Sequence, residues 1–442
     1  MIRVTERPVQ PELIDNLSRQ ALPLKSDKDL NPLIEQIHRA KYVLMGESTH
    51  GTSEFYQWRA NLTRQLILEK GFSFIAVEGD WPDCYLINRY VKGYPKSGKN
   101  AAEVLENFRR WPTWMWANEE IAELMEWLRK YNRALPPEKK VGFYGLDVYS
   151  LWESLNALTY YLGDSAPDLL AEISLVFNCF EPYGEDVREY AKFTAISSEN
   201  CEKFVNLLLD KLKKTNRFDN SKERDAHFAA QQNAWVIKNA ESYYRSMIGG
   251  GVTSWNIRDF HMMDTLDRLM KHHGTDARCI VWEHNTHIGD ARYTDMVDIG
   301  EINVGQLARE RHGEKDVFII GFSTYKGSVV AGREWNAQMQ IMAVPEARAG
   351  SWDEIFHTIN KYDKLFIFRS GKPTEHILEM RGQLAIGVVY NPEIDRFANY
   401  VPTIITRRYN ALLYFEKTTA LRPLGVSSSL NGEPPDTYPW AI

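Results

Sequence analysis

Lys41-Tyr42-Val43-Leu44-Met45-Gly46-Glu47-Ser48-Thr49-His50-Gly51 is the stretch on which the fold reading turns. Residues 41–45 read as a buried strand. Residues 52–70 read as a helix, opened by Thr52-Ser53-Glu54 as capping residues. Glu47 and His50 therefore stand three residues apart at the carboxyl end of a strand, where open α/β sheets bind their ligands. A carboxylate on the same turn as an imidazole can orient the ring and keep it basic, which makes the pair a unit for proton transfer.

The same arrangement recurs along the chain. Arg278-Cys279-Ile280-Val281-Trp282 reads as a strand and runs into Glu283-His284-Asn285-Thr286-His287. Phe74-Ile75-Ala76-Val77 leads into Glu78-Gly79-Asp80, and the strand at 141–146 leads into Asp147. Four strand-like runs thus deliver acids or histidines at their carboxyl ends, and one site collecting those ends is the expectation.

From 41 to 150 strands alternate with helices, the pattern of βαβ units and a parallel sheet. From 151 to 274 strand signals nearly vanish and long helical patterns dominate, notably Glu223 to Met247. Strands return from 278, at 317–322, 328–331, 364–368, 385–390 and 411–415. The expected fold class is α/β, with a mostly parallel central sheet flanked by helices and a largely helical insertion or subdomain. Residues 1–150 are expected to form the first part of the core, 151–274 the helical subdomain, and 275–442 the second part. The lead-in to residue 40 shows one helix, Asp29 to Ala40. The tail after Leu424, rich in Ser, Gly and Pro, reads as loose.

Composition excludes several function classes. The chain has 442 residues, with 44% hydrophobic and 25% charged residues, ordinary for a globular protein. A net charge of −6 gives no electrostatic reason to bind nucleic acid. No apolar run reaches transmembrane length, and residues 1–8 lack a signal-peptide apolar region. The four cysteines are not close-spaced, so no zinc-ribbon or CxxC motif exists, a disulfide framework is not expected, and a reducing cytoplasm fits. There is no Gly-x-Ser-x-Gly elbow, no Walker A loop and no GxGxxG.

Individual residues sharpen the site. Phe55, Trp58, Leu62 and Leu66 form the apolar face of the 52–70 helix, and Arg59 falls inside it. A buried arginine needs a carboxylate, and Glu47 and Glu78 are at hand. Ser48 reads as a loop or capping residue. Asn256-x-Arg258-Asp259 looks like a helix start, with Arg258 either in a capping ion pair or turned into the cleft. His272-His273 reads as a solvated helix end, and His38, His227, His312, His357 and His376 show no partner pattern. His50, His284 and His287 with Glu47 and Glu78 are also the ligand types of a metal site, so metal-free acid–base chemistry and metal-assisted chemistry both stand.

Taken together, Gly46-Glu47-Ser48-Thr49-His50-Gly51, Arg59, Val77-Glu78-Gly79 and Glu283-His284-Asn285-Thr286-His287 resemble the erythromycin esterase family. The resemblance continues through Asn303-Val304-Gly305-Gln306-Leu307, Gly321-Phe322-Ser323-Thr324-Tyr325 and Asn399-Tyr400-Val401-Pro402, and ends at Thr418 to Leu424. It implies an α/β core with helical additions, a deep cleft, and hydrolysis of a cyclic ester by an activated water without a metal. The family's catalytic histidine falls on His50, its acids on Glu47 and Glu78, its arginine on Arg59 and its further histidines on His284 and His287. The expected function is cleavage of a carboxylic ester or lactone, with Asp147, Arg258 and Glu283 as substrate-binding residues, no cofactor and no metal. Expected partners are a small-molecule ester or lactone only, with neither nucleic acid nor membrane; the oligomeric state and the substrate stay open. The family's name points to macrolides and antibiotic resistance. The alternatives are a metal-dependent hydrolase using the same histidines, or a ligand-binding protein without catalysis.

Overall fold

The structure is a computed structural model and describes residues 8–184, 186–214, 221–249, 251–368 and 378–425. His376 and the tail beyond Gly425 lie outside the described residues. Twelve strands occur among them: β1 (Leu22–Pro23), β2 (Tyr42–Met45), β3 (Phe74–Asp80), β4 (Gly142–Asp147), β5 (Cys279–Trp282), β6 (Val317–Thr324), β7 (Gly327–Ala331), β8 (Gln340–Val344), β9 (Lys364–Ile367), β10 (Arg381–Leu384), β11 (Tyr400–Thr403) and β12 (Ala411–Phe415).

Eight of them form one sheet in the order β1-β9-β12-β6-β2-β5-β3-β4. From β12 to β4 every neighbour pair is parallel; β9 and β1 close one edge antiparallel. The central strands are apolar throughout because helices cover both faces. Alternation along each strand sorts the side chains. Val43, Met45, Ile280 and Trp282 enter one core with helices Ser53–Lys70 and Glu119–Asn132. Tyr42, Leu44, Cys279 and Val281 enter the other with helices Gly251–His273 and Val304–His312.

Between Leu151 and His273 the described elements are all helical, and most pack on their own cluster around Leu155, Leu158 and Ile237. Helix Gly251–His273 differs: Met262, Met263, Leu266 and Leu269 lie against the main sheet. It therefore delivers Arg258 and Asp259 to the strand ends. No helix among the described residues is long and apolar enough to cross a membrane.

Several expectations are corrected. The run at 385–390 is not a strand; β10 stops at Leu384, and the chain continues through isolated bridges at Ile386 and Val389. Ala385, Ile386, Val388 and Tyr390 are buried, but backbone bonds of this run go to a loop: the Ile386 amide donates to Ser48 O at 2.8 Å. The lead-in holds a further helix, Pro11–Ser18, and the helix expected over 29–40 is a 3-10 turn followed by Asn31–Ile37. Helix Gly251–His273 begins before Asn256, whose side chain is engaged by Gly300 O and the Ile302 amide rather than by its own helix. His272 and His273 are not solvated: His272 Nε2 stands 2.8 Å from Asp225, and His273 stacks on Phe74. Cys179 and Cys201 form a disulfide with Cα atoms 5.8 Å apart, which their 22-residue separation hid from the sequence.

Two glycines matter here, one ending the helix that follows the functional loop and one holding the loop itself. Gly71 takes φ +67°, the left-handed cap that stops helix Ser53–Lys70. Gly51 lies under the backbone of β7: its carbonyl accepts from Val330 N at 3.0 Å and Leu421 N at 2.9 Å. A Cβ at residue 51 would sit 2.0 Å from Val330 O, a main-chain atom that cannot swing aside. Gly51→Ala is therefore expected to destabilise the protein by about 1–3 kcal/mol, read as a lower urea midpoint at an unchanged slope.

Candidate functional site

The strand ends of β2, β3, β4 and β5 meet, as neighbours in a parallel sheet must. They bring Glu47, His50, Glu78, Asp147, Glu283, His284 and His287 close together, all buried. Helix Ser53–Lys70 adds Arg59, and helix Gly251–His273 adds Arg258 and Asp259.

Arg59 is 0% exposed. Its Nη2 donates to Glu47 Oε2 at 2.8 Å, and its guanidinium lies over the rings of Tyr56 at 4.3 Å and Trp282 at 4.7 Å. Tyr56 rather than Trp58 completes the buried helix face. The other oxygen of Glu47 stands 3.0 Å from His50 Nδ1. Glu47 is thus shared between a cation and an imidazole. With Nδ1–H donated to Glu47, the lone pair of His50 lies on Nε2, 4.0 Å from Glu78 Oε1. That gap is too long for a direct hydrogen bond and suits one bridging water.

Glu78 carries the second network. Its Oε2 accepts the His284 backbone N–H at 2.8 Å, and its Oε1 accepts Arg258 Nη2 at 2.8 Å. Arg258 also grips Asp147 with two bonds, at 2.9 and 2.7 Å, and reaches His287 Nε2 at 3.0 Å. Because Arg258 can only donate, His287 Nε2 accepts, and its N–H is on Nδ1, facing Asp259 at 3.0 and 3.1 Å. Trp255 stacks flat on that ring at 4.5 Å. The position read as a helix-cap arginine is therefore the hub that joins three strand ends.

His284 differs from its neighbours. Its Nδ1 accepts from the Thr286 backbone and lies 2.8 Å from Thr286 Oγ1, so its N–H is on Nε2. That Nε2 is buried without a partner among the described residues, with the ring centre 4.8 Å from that of His50. Both carboxyl oxygens of Glu283 are likewise buried without a partner, and neither Glu283, His284 nor His287 forms the pocket wall. Ser48 is buried and caps nothing.

Environment sets the charges. Burial pulls the pKa of His50 down, but Glu78 and Glu47 outweigh it, and the ring ends up more basic than an ordinary histidine. Burial raises Glu78, yet His287, His50, Arg258 and the His284 amide hold its carboxyl well below the usual range. Asp147 is also lowered, burial being overcome by Arg258. Burial keeps His284 neutral, with His50 adding to the effect, and burial with the surrounding acids keeps Glu283 protonated. Among the described residues no three His, Cys, Asp or Glu side chains are arranged to hold a metal ion. Arg258 itself joins Glu78 to His287.

The site opens through a pocket of about 580 Å³, its mouth included, floored by His50, Glu78, Asp147 and Arg258. Sequence reasoning missed Asp259 as the partner of His287, and it missed Arg110, which makes two bonds of 2.8 and 2.7 Å to Asp80 beside the floor. Asp259 was adjacent to a residue already singled out. Arg110 sits in a Trp-rich loop with no periodic signal.

A model of the erythromycin esterase family matches residues 67–418. The match starts after Glu47, His50 and Arg59, whose meeting rests on the geometry. Among curated relatives, the protein named putative hydrolase YbfO of Bacillus subtilis (strain 168) is 22% identical over 432 residues, covering 91% of this chain and 90% of that one. Erythromycin esterase type II of Escherichia coli is 22% identical over 318 residues, covering 69% and 73%. Among solved structures, a mutant of the erythromycin esterase EreC in its open conformation superposes with a TM-score of 0.65 at 16% identity, covering 94% of this chain and 98% of that one.

Removing Arg59 leaves Glu47 buried without its cation. Arg59→Ala is expected to cost roughly 3–5 kcal/mol, seen as a lower thermal midpoint. Leu68→Ala, on the solvent side of the same helix at 61% exposure, should change stability by no more than about 0.5 kcal/mol. Equal midpoints for the two variants would remove the buried pair from the account.

Proposed function

The chain belongs to the erythromycin esterase family, and from that premise we propose that it is a hydrolase cleaving a carboxylic ester or lactone by general-base activation of water. The observation that carries the proposal is Glu47 shared between Arg59 and His50. It fixes the ring and leaves Nε2 turned to the pocket floor.

The reaction runs as follows. A water between His50 Nε2 and Glu78 gives its proton to Nε2 as its oxygen attacks the acyl carbon. The new negative charge on the carbonyl oxygen is met by the positive field of Arg258, which lines the pocket. The tetrahedral intermediate collapses, the acyl C–O bond breaks, and the proton on His50 passes to the leaving alkoxide. An ester gives an acid and an alcohol; a lactone gives one hydroxy acid. Asp259 and Trp255 hold His287, and His287 holds Arg258 in turn, so these groups position the floor without touching the reacting atoms.

His50→Asn removes the base and keeps a hydrogen bond to Glu47. It should lower kcat by at least about 10²-fold with an unchanged melting temperature. Because the base must be neutral and its pKa is raised, kcat/KM of the unaltered protein should climb with pH along a limb lying above the ordinary 6.5. A pH profile with its acid limb at or below that value would contradict the assignment.

Arg258 also bears on the metal-assisted alternative. A divalent ion among Glu78, His50 and His287 would be repelled by the guanidinium already bonded to Glu78. Protein dialysed against a strong chelator and metal-free by elemental analysis is expected to keep its rate. Loss of that rate, restored by one equivalent of a divalent ion, would install the histidines as ligands instead.

A further inference from the structure

The pocket in front of His50 has two unlike walls. One carries the charged groups of the floor with Asp80 and Arg110. The other is aromatic: Phe108, Trp111, Trp116 and Trp335. Trp111 Nε1 donates to Ala337 O at 2.9 Å and Trp116 Nε1 to Glu78 O at 3.0 Å, so neither indole offers a donor, and both rings are almost wholly buried. Trp335 meets Trp111 edge to face, with ring centres 4.2 Å apart, and its Nε1 has no partner among the described residues.

This wall is held rigid. The Asn118 side chain donates to Trp114 O at 3.1 Å and Met115 O at 3.0 Å, and Arg110 is tied to Asp80. A fixed surface loses little freedom when a ligand docks. It favours a flat unsaturated group that can stack offset or edge-on against the indoles. Its indole N–H groups are bonded to backbone or buried, as Trp335 Nε1 is, which serves a hydroxyl-rich group poorly.

We propose, resting on the ester-hydrolase reading above, that the substrate is a compact ester bearing an aromatic ring, with the ring against Trp335, the half-buried indole of the wall, and the ester carbonyl at His50. The aromatic wall then selects the substrate, and the charged floor acts on it.

Methyl benzoate and methyl cyclohexanecarboxylate share ring size and ester but differ in planarity. The ratio of their kcat/KM values, aromatic over saturated, is expected to fall roughly three- to tenfold in Trp335→Ala and to survive in Trp335→Phe. Comparing ratios between proteins cancels the intrinsic reactivity of the two esters. Phe108→Leu, which removes a second ring of the wall, carries the same expectation should Trp335→Ala not fold. Saturation transfer to the ring protons of benzamide, measured by NMR, reads binding without turnover and should weaken in Trp335→Ala. Turnover of both esters at a ratio that neither variant moves overturns the aromatic assignment and leaves the hydrolase reading. Turnover of neither ester, with benzamide binding still dependent on Trp335, overturns the hydrolase reading and keeps the aromatic wall. Loss of both signals in the unaltered protein overturns both.

Discussion

Everything in the site depends on one carboxylate held by two partners. Glu47 is 1% exposed, in surroundings where a lone charge would be far too costly to keep. Arg59 supplies the countercharge from the neighbouring helix, and the aromatic rings of Tyr56 and Trp282 hold that guanidinium in turn. With one oxygen engaged by Arg59, the other is left for His50. The orientation of the imidazole is therefore decided by the packing around Arg59, which does not itself line the pocket.

Around this pair the charges alternate. Arg258 balances Glu78 and Asp147, and Asp259 stands behind His287. Each buried acid that faces a buried base is stabilised by it, and the interior keeps several ionised groups that none could sustain singly. Glu283, whose oxygens have no hydrogen-bond partner among the described residues, is pushed well above the usual carboxylate range by burial and the neighbouring acids. The outcome is a floor in which the acids Glu78 and Asp147 outnumber the one arginine, Arg258, which suits a neutral ester more than an anion.

The sequence disclosed the centre of this arrangement and hid its margins. Glu47, His50, Glu78, Asp147, His284 and His287 were legible because each follows a continuous apolar run, and parallel strands must bring such ends together. Arg59 was legible because a cation interrupts an apolar face. Arg258 was harder: Asn256 and Asp259 resemble capping residues, yet both are engaged across space, by Gly300 and His287. The run at 385–390 has the composition of a strand, but its backbone pairs with the loop at Ser48 and His50, a choice that only the tertiary arrangement makes. The aromatic wall joins residues near 111 to residues near 335, and no local pattern couples segments so far apart in the chain.

The clamp on the loop that carries His50 has a consequence for how the protein is made. His50 N reaches Ile386 O, Ile386 N reaches Ser48 O, Gly51 O accepts from Val330 and Leu421, and Ser53 N donates to Thr419 O. The loop is near one end of the chain and its holders near the other. Such contacts form late, because the intervening loop must close before they reward it. During synthesis the ribosome releases Glu47 and His50 long before Leu421. A nascent chain can thus carry every proton-handling residue of β2 and β3 and still lack the geometry to use them, so competence arrives with the last strands rather than with the motif.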